Sequence, residues 1–449
     1  MQATALALDY LLRAVGDPVG DLRHIGPSHP EFDRAQAIRA GAGVLAKSPD
    51  AYPAIARVLR STAARSVSPE TRAHLSAAEA WLGGNPVLAA ESYASILSRW
   101  PHDLLALRLA QSCYFFLGWH DRLCAVVDAV VPAWTHERHG WQFVLAMASF
   151  VHAEYGDAGY AEALGRKALA LDPACPLGVH AVTHAIAESG RPGSGAQWMR
   201  DQRAHWAKES RMRTHNAWHL AMFDVENGNF ASAIGILDAW LLPASDESSL
   251  DACDATALLW RLAAEGVDVE CRWQKVSDAF ERTLTAGFWP FVDLHASLAH
   301  WAAGKQTRRR RLVKAIDRCA AGGDFAALRA RHITHPVLRA FGAWIDGRYN
   351  EAVQSFASVQ PLLYSAGGSR LQLEIFKSIE RDAATRQLDH RRDDTQPSRA
   401  REQTLSHVDP NLIETVLTNV REEQPAKSHD SPFPPHTARY RNADGESSP

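Results

Sequence analysis

Two stretches of this chain each carry a pair of histidines one helical turn apart. GVHAVTHAIAESG, from Gly178, holds His180 and His184, and RTHNAWHLAMFDVENG, from Arg213, holds His215 and His219. Side chains at i and i+4 share one face of a helix, with Cβ atoms roughly 6 Å apart. The second pair repeats the first at an equal offset, close to a period of about 34 residues. If both stretches are helices packed at roughly 8–10 Å, four imidazoles can meet across one groove. Neutral imidazole suits zinc, copper, iron and nickel, so all four are candidate metal ligands. His-x3-His is also the spacing of the zincin helix. Here position 181 is Ala and position 216 is Asn, so the general-base glutamate of that motif is absent from both pairs. A metalloprotease reading fails at the residue that would do the work. The plain alternative is helix packing, in a chain that holds 21 histidines.

Other side chains could join such a site. His295, in FVDLHASLAHW, is a fifth candidate ligand, and Asp293 precedes it at i−2, on a different face. His74, in TRAHLSAAEAWL, lies on an earlier first helix and could line the same groove. Trp218, one residue before His219, could cover it or pack on the next helix. Glu188, one turn past His184, could be a further ligand or a partner of one. Other chemistry is thin, with no Gly-rich phosphate loop, no G-x-S-x-G elbow and no kinase-like set.

Something must hold these residues in place, and the rest of the chain reads as helical. Apolar and alanine positions recur at three- and four-residue spacing almost throughout, broken by short punctuations such as GGNP, GDAG, ENGN and DGRY. WLGGNPVLAAESYASILSRWPHD from Trp81, EYGDAGYAEALGRKALALDPACP from Glu154, VENGNFASAIGILDAWLLPAS from Val225 and WIDGRYNEAVQSFASVQPL from Trp344 repeat one pattern. A Gly turn leads into a helix with small residues at the contact (Ala161, Ala163, Ala231, Ala233, Ala352). This is tetratricopeptide (TPR) grammar, in which a hairpin cannot cover its own apolar face and therefore stacks on neighbours. The expectation is an all-α, TPR-like helical-hairpin solenoid, an irregular right-handed superhelix curling on itself, over 1–380. From 381 to 449 apolar content falls while charge, Pro and Ser rise, so a disordered polar tail is expected, with a short helix over the amphipathic run near 411–420.

Composition narrows the partners. A net charge of −3 over 449 residues gives no reason to expect nucleic acid or an anionic membrane. The run Arg308 to Arg311 spreads around a helix and reads as a solvated face. Six cysteines without a C-x-x-C pair point to reduced thiols and a cytoplasmic location. No apolar run spans a bilayer, and the N-terminal stretch has no basic start before its apolar residues, which argues against a signal peptide.

HNAWH (His215 to His219), PHDLLALRLAQSCYFFLG from Pro101, LLWRLAAEGVDVECRW from Leu258 and VDLHASLA from Val292 resemble the tetratricopeptide repeat protein 38 family, from near the N-terminus to about residue 380. His74, His180, His184, His215, Trp218, His219, Asp254, Arg261, Asp293 and His295 fall at positions matching that family's pattern. A glutamate that usually follows the first pair is displaced: Ala187 stands at the matching position, and Glu188 is about 100° around the helix. The resemblance implies a superhelix and carries no activity. Two uses of the histidines follow. In the first, an intracellular binding or scaffold protein holds a peptide, protein or small ligand in its concave groove, with the cluster as a polar anchor. In the second, an enzyme, oxidative in one form, binds a transition metal or haem through His180, His184, His215 and His219. Asp254 or Asp293 would then orient a ligand imidazole, and Arg261 would hold an anionic group.

Overall fold

Helices alternate with tight turns from Ala3 to Asp393 in the computed structural model, which describes residues 3–208 and 210–393; among the described residues there is no strand. The turns work as their composition requires. The Trp141–Tyr155 helix ends at Gly156, whose φ of 99° is left-handed, a conformation that costs glycine little. The next residue, Asp157, accepts from the backbone N–H of Tyr160 and so starts the Ala158–Leu171 helix. Asn85 does the same for Pro86–Arg99 by accepting from Leu88 N–H, and Ser248 caps Ser249–Ala264.

Each repeat closes as a hairpin and stacks on the next. Ala161, Ala233 and Ala352 are fully buried at the helix contacts. Ala163 and Ala231 are exposed, because two residues along a helix is more than half a turn away from the packed face. Gly165 marks the closest approach. A Cβ there would lie 2.5 Å from Val182 Cγ2 and 2.8 Å from Ser149 Oγ, so three helices meet where only a hydrogen fits.

The first helices of successive hairpins form the inner wall: Leu104–Leu117, Trp141–Tyr155, Pro176–Glu188, Arg213–Glu226, Ser249–Ala264 and Pro290–Ala302. The solenoid curls until its ends meet this wall. The Ala3–Arg13 helix packs on Pro176–Glu188, held by Arg13 to Asp172 at 2.7 Å and by Arg211 N–H to the Ala14 carbonyl at 2.8 Å. The Arg370–Asp393 helix packs on Ser249–Ala264. Arg329, buried, donates to the carbonyls of Phe116, Ser365 and Ala366 and so ties early repeats to late ones. The Arg370–Asp393 helix runs past residue 380, where the composition changes. The amphipathic run at 411–420 lies outside the described residues. Among the described residues no helix is long and apolar enough to cross a membrane. The arginine run lies on the Gln306–Ala320 helix; Arg308 pairs with Asp278 and Arg311 with Glu281.

Candidate metal centre and its cavity

Helices Pro176–Glu188 and Arg213–Glu226 bring the two histidine pairs face to face. Nε2 of His180 lies 3.1 Å from Nε2 of His184 and 3.1 Å from Nε2 of His215. One ring nitrogen from each of the four histidines lies within 4.8 Å of all the others. His184 and His219 are buried, while His180 and His215 are half-buried and face a cavity. Aromatic rings brace the cluster. Phe150 stacks on His180 with centroids 5.4 Å apart, and Trp218 stacks on His215 at 5.3 Å.

Carboxylates hold the far nitrogens of two rings. His184 Nδ1 is 3.0 Å from Glu154 Oε1, and His215 Nδ1 is 2.6 Å from Asp254 Oδ2. A carboxylate only accepts, so each ring, when neutral, donates from Nδ1 and turns Nε2 inward as a lone pair. The carboxylates are steadied in turn by the start of the Arg370–Asp393 helix. Arg370 N–H donates to Glu154 Oε2 at 2.8 Å, and the Gln372 amide donates to Asp254 Oδ1 at 3.1 Å. Burial works against the Glu154 charge, but His120 and His184 outweigh it and bring the carboxyl down to about 2. Burial opposes charge on His215 too, and there Asp254 wins and raises it. His180 and His219 are pushed well below the ordinary imidazole value, by burial first and then by neighbouring histidines.

This arrangement fits one cation. With the rings neutral, the single Nε2 of His180 can donate at most one proton, yet it faces two inward lone pairs. At least one of the two 3.1 Å contacts therefore sets lone pair against lone pair. His219 Nε2 is buried and has no hydrogen-bond partner in the protein, which is costly for a polar atom. Four nitrogens about a tetrahedral ion at roughly 2.0–2.1 Å would stand roughly 3.3 Å apart, near the two 3.1 Å separations at His180. The donor set is all imidazole, which suits zinc, copper, nickel or iron.

The cavity over His180 and His215 has a volume of about 1500 Å³. Its wall mixes rings (Phe115, Phe150, Trp289, Phe291) with charged groups (Lys47, Arg108, Asp251). Burial, then the nearby Asp254, raises the Asp251 carboxyl to about 7.

The remaining sequence candidates lie elsewhere. His295 is buried, but its Nδ1 bonds the Phe291 carbonyl at 2.7 Å and its ring sits between Phe291 and Phe376, outside the four-histidine group. Asp293 accepts from Gly287 N–H and orients no imidazole. His74 pairs with Asp103 at 2.8 Å. Arg261 pairs with Glu226 at 3.8 Å and does not line the cavity. Glu188 faces Arg370 at 3.6 Å, and the carboxylate at the first pair comes instead from Glu154. The one sequence signal for Glu154 is that it is the single acid in the apolar stretch WQFVLAMASFVHAEY. Two further donor groups bring ligand-type atoms together, Glu70 with His74 and Asp103, and Cys124 with Asp128 and His152. The first already has Arg34 as its cation. In the second, burial and Asp128 keep the thiol protonated far above neutral pH.

No family model matches the chain. Among solved structures it is similar to helical-repeat proteins. One is the Cut9–Hcn1 hetero-tetramer of the APC/C, at 12% identity over 84% of this chain and 69% of that chain, TM-score 0.41. A second is an IFIT1 monomeric mutant with Gppp-AAAA, at 11% identity over 87% of each chain, TM-score 0.40. A third is Naa15/Naa10 bound to HypK-THB, at 12% identity over 93% of this chain and 72% of that chain, TM-score 0.30. These superpositions are loose, and the ligands and partners they name are those proteins' own.

Proposed function

We propose that this protein is a metal-dependent enzyme acting on a small molecule, with one first-row transition-metal ion held by His180, His184, His215 and His219. The observation that carries the reading is the split of roles within the rings. Glu154 and Asp254 anchor the far nitrogens of His184 and His215, while the near nitrogens converge and His219 Nε2 stays unpartnered. Packing histidines have no need of such convergence. Four protein ligands in a tetrahedron alone would make a closed, structural site. His180 and His215 form part of a cavity wall, so this reading requires an ion such as copper, nickel or iron that accepts a further ligand from the cavity side. The ion would supply Lewis acidity or one-electron chemistry. The chain's own part is to aim the four nitrogens, to fix two tautomers through Glu154 and Asp254, and to offer Asp251 as a carboxyl able to exchange a proton near neutral pH. A haem is a poorer occupant, since one nitrogen of each ring lies within 4.8 Å of the other three, which leaves no room for a macrocycle between them.

The peptide- or protein-binding reading rests on the concave face of the solenoid. It is the second choice because the hollow is also lined by Tyr10 and Val15 near the N-terminus and by Gly368 and Gln372 at the start of the Arg370–Asp393 helix. That suits a small molecule better than an extended chain. Kinship with the tetratricopeptide repeat protein 38 family, carried by His215 to His219, and a cytoplasmic location, supported by six free cysteines, belong to the same proposal.

Elemental analysis of the purified protein tests it, with cobalt(II) or zinc titration of chelator-treated protein. About one ion per chain is expected, lost in the double variant His215→Ala, His219→Ala while the helical circular dichroism is kept. A protein that carries no ion and takes none up overturns the proposal.

A further inference from the structure

The geometry points to an anion subsite at Lys47 and Arg108, on the cavity wall beside the histidines, that takes the carboxylate or phosphate head of a small molecule with an apolar body. The inference rests on the metal-enzyme reading for the purpose of the site, but not for its existence. Lys47 follows the Phe32–Leu45 helix with φ 45°, a left-handed backbone that is unusual for a lysine. Its ammonium lies 5.9 Å from the Phe115 ring centroid and 5.8 Å from that of Trp289. Arg108, on Leu104–Leu117, donates to Gln111 Oε1 at 3.0 Å. Among the described residues neither cation has a carboxylate within ion-pair distance. Arg34 and Arg13 differ: Arg34 has Glu70 and Asp103, and Arg13 has Asp9 and Asp172.

Lys47 and Arg108 are half-buried on the cavity wall, and two like charges near each other there repel, which an anion between them relieves. Burial lowers Lys47 to about 8, with the charge of Arg108 adding to it, and burial lowers Arg108 to about 10. A third group points the same way. Ser112, one turn beyond Arg108, is 2% exposed and lines the cavity, and its Oγ has no hydrogen-bond partner. An ammonium, a guanidinium and a free hydroxyl together match an oxyanion. From there a line of rings leads to the proposed centre. Phe115 meets Phe150 at 5.9 Å, and Phe150 stacks on His180. A molecule with its charged head on Lys47 and Arg108 would lay an apolar body along Phe115 and Phe150, with its far end at His180.

The test uses benzoate, phenyl phosphate and neutral benzamide, measured by calorimetry on full-length protein in metal-loaded and metal-stripped forms. At least one of the two anions is expected to bind the wild type in both forms, at least about tenfold tighter than benzamide; the tighter of the two names the head group. Lys47→Met and Arg108→Leu should each weaken it by about tenfold, the scale of one charge-assisted hydrogen bond, and Arg108→Lys should recover part of the loss. Metal content must be unchanged in all three variants, and circular dichroism must confirm that they fold. Anion binding that survives both charge removals, or is no tighter than benzamide binding, overturns the subsite. A protein that takes up no metal but binds the anion through Lys47 and Arg108 overturns the metal reading and leaves the subsite standing.

Discussion

Glu154 and Asp254 stand on opposite sides of the histidine cluster and do the same work: each accepts from Nδ1 of one histidine, and each is steadied by the first turn of the Arg370–Asp393 helix. The cluster is thus fastened by parts of the chain far apart in sequence. Two rings from different repeats are held in one tautomer by carboxylates whose second oxygens are occupied by Arg370 N–H and the Gln372 amide.

That symmetry predicts the effect of neutralising either carboxylate. Glu154→Gln and Asp254→Asn keep all four imidazoles but allow the ring to flip or change tautomer. Metal affinity should drop by about 10–100-fold for each. Competition against a chromophoric chelator measures it. Unchanged affinity in both variants would mean that the carboxylates serve packing alone.

A bound ion should also stabilise the fold by mass action. At a free concentration 100 times the dissociation constant the gain is about 2.7 kcal/mol, visible as a higher melting temperature that chelator reverses. The effect should fade in acid, because protons compete for the same lone pairs. Zinc-dependent shifts recorded at pH 7.5 and pH 5 read this directly; an equal shift at both would place the ion on other ligands.

Gly165→Ala separates helix propensity from packing. Alanine inside a helix is ordinarily favoured by roughly 0.5–1 kcal/mol. Here the added methyl meets Val182 and Ser149 at sub-contact distance, and overpacking of this sort costs about 1–3 kcal/mol. A net loss of stability is expected in urea unfolding. Because Val182 lies between His180 and His184, weaker metal uptake should accompany it. Gly235→Ala is the control: its Cβ would meet nothing within 4 Å, so that change should be neutral or stabilising.

The parts of this site visible in the sequence are those that depend on local periodicity. His180 with His184, and His215 with His219, share helix faces by spacing alone, and the repeat offset sets the two faces side by side. The hairpins were legible for the same reason, since a Gly exit and an Asp or Asn cap such as Gly156–Asp157 are local signals. What depends on closure of the solenoid was hidden. Glu154 reaches His184 across a helix contact, Gln372 reaches Asp254 from 118 residues away, and Lys47 shares a cavity wall with Arg108 only because early repeats curl over the hollow. Arg261 shows the converse. It lies two turns beyond Asp254 on the same helix, and that distance is enough to carry it out of the cavity to Glu226.

Asp103 governs acid stability away from the cavity. It caps Leu104–Leu117 by accepting from Ala106 N–H at 3.0 Å, bonds His74 Nε2 at 2.8 Å, and pairs with Arg34 at 3.2 Å. Burial disfavours its charge, yet the His74 hydrogen bond and charge, together with Arg34, outweigh burial and hold the carboxyl well below the usual range. A folded-state value below the unfolded one, about 3.9, gives stability that is fully present above that pH and lost as pH falls through the folded value. Asp103→Asn keeps the cap oxygen but removes the buried charge from Arg34 and His74, and should cost about 3–5 kcal/mol at pH 7. The gap between wild type and variant should narrow as unfolding is measured at pH 4, 3 and 2.5, because below about 3.9 the unfolded wild-type carboxyl takes up a proton that the folded one does not. A gap that stays constant across that range would assign the loss to packing and leave the ion pairs without a stabilising role.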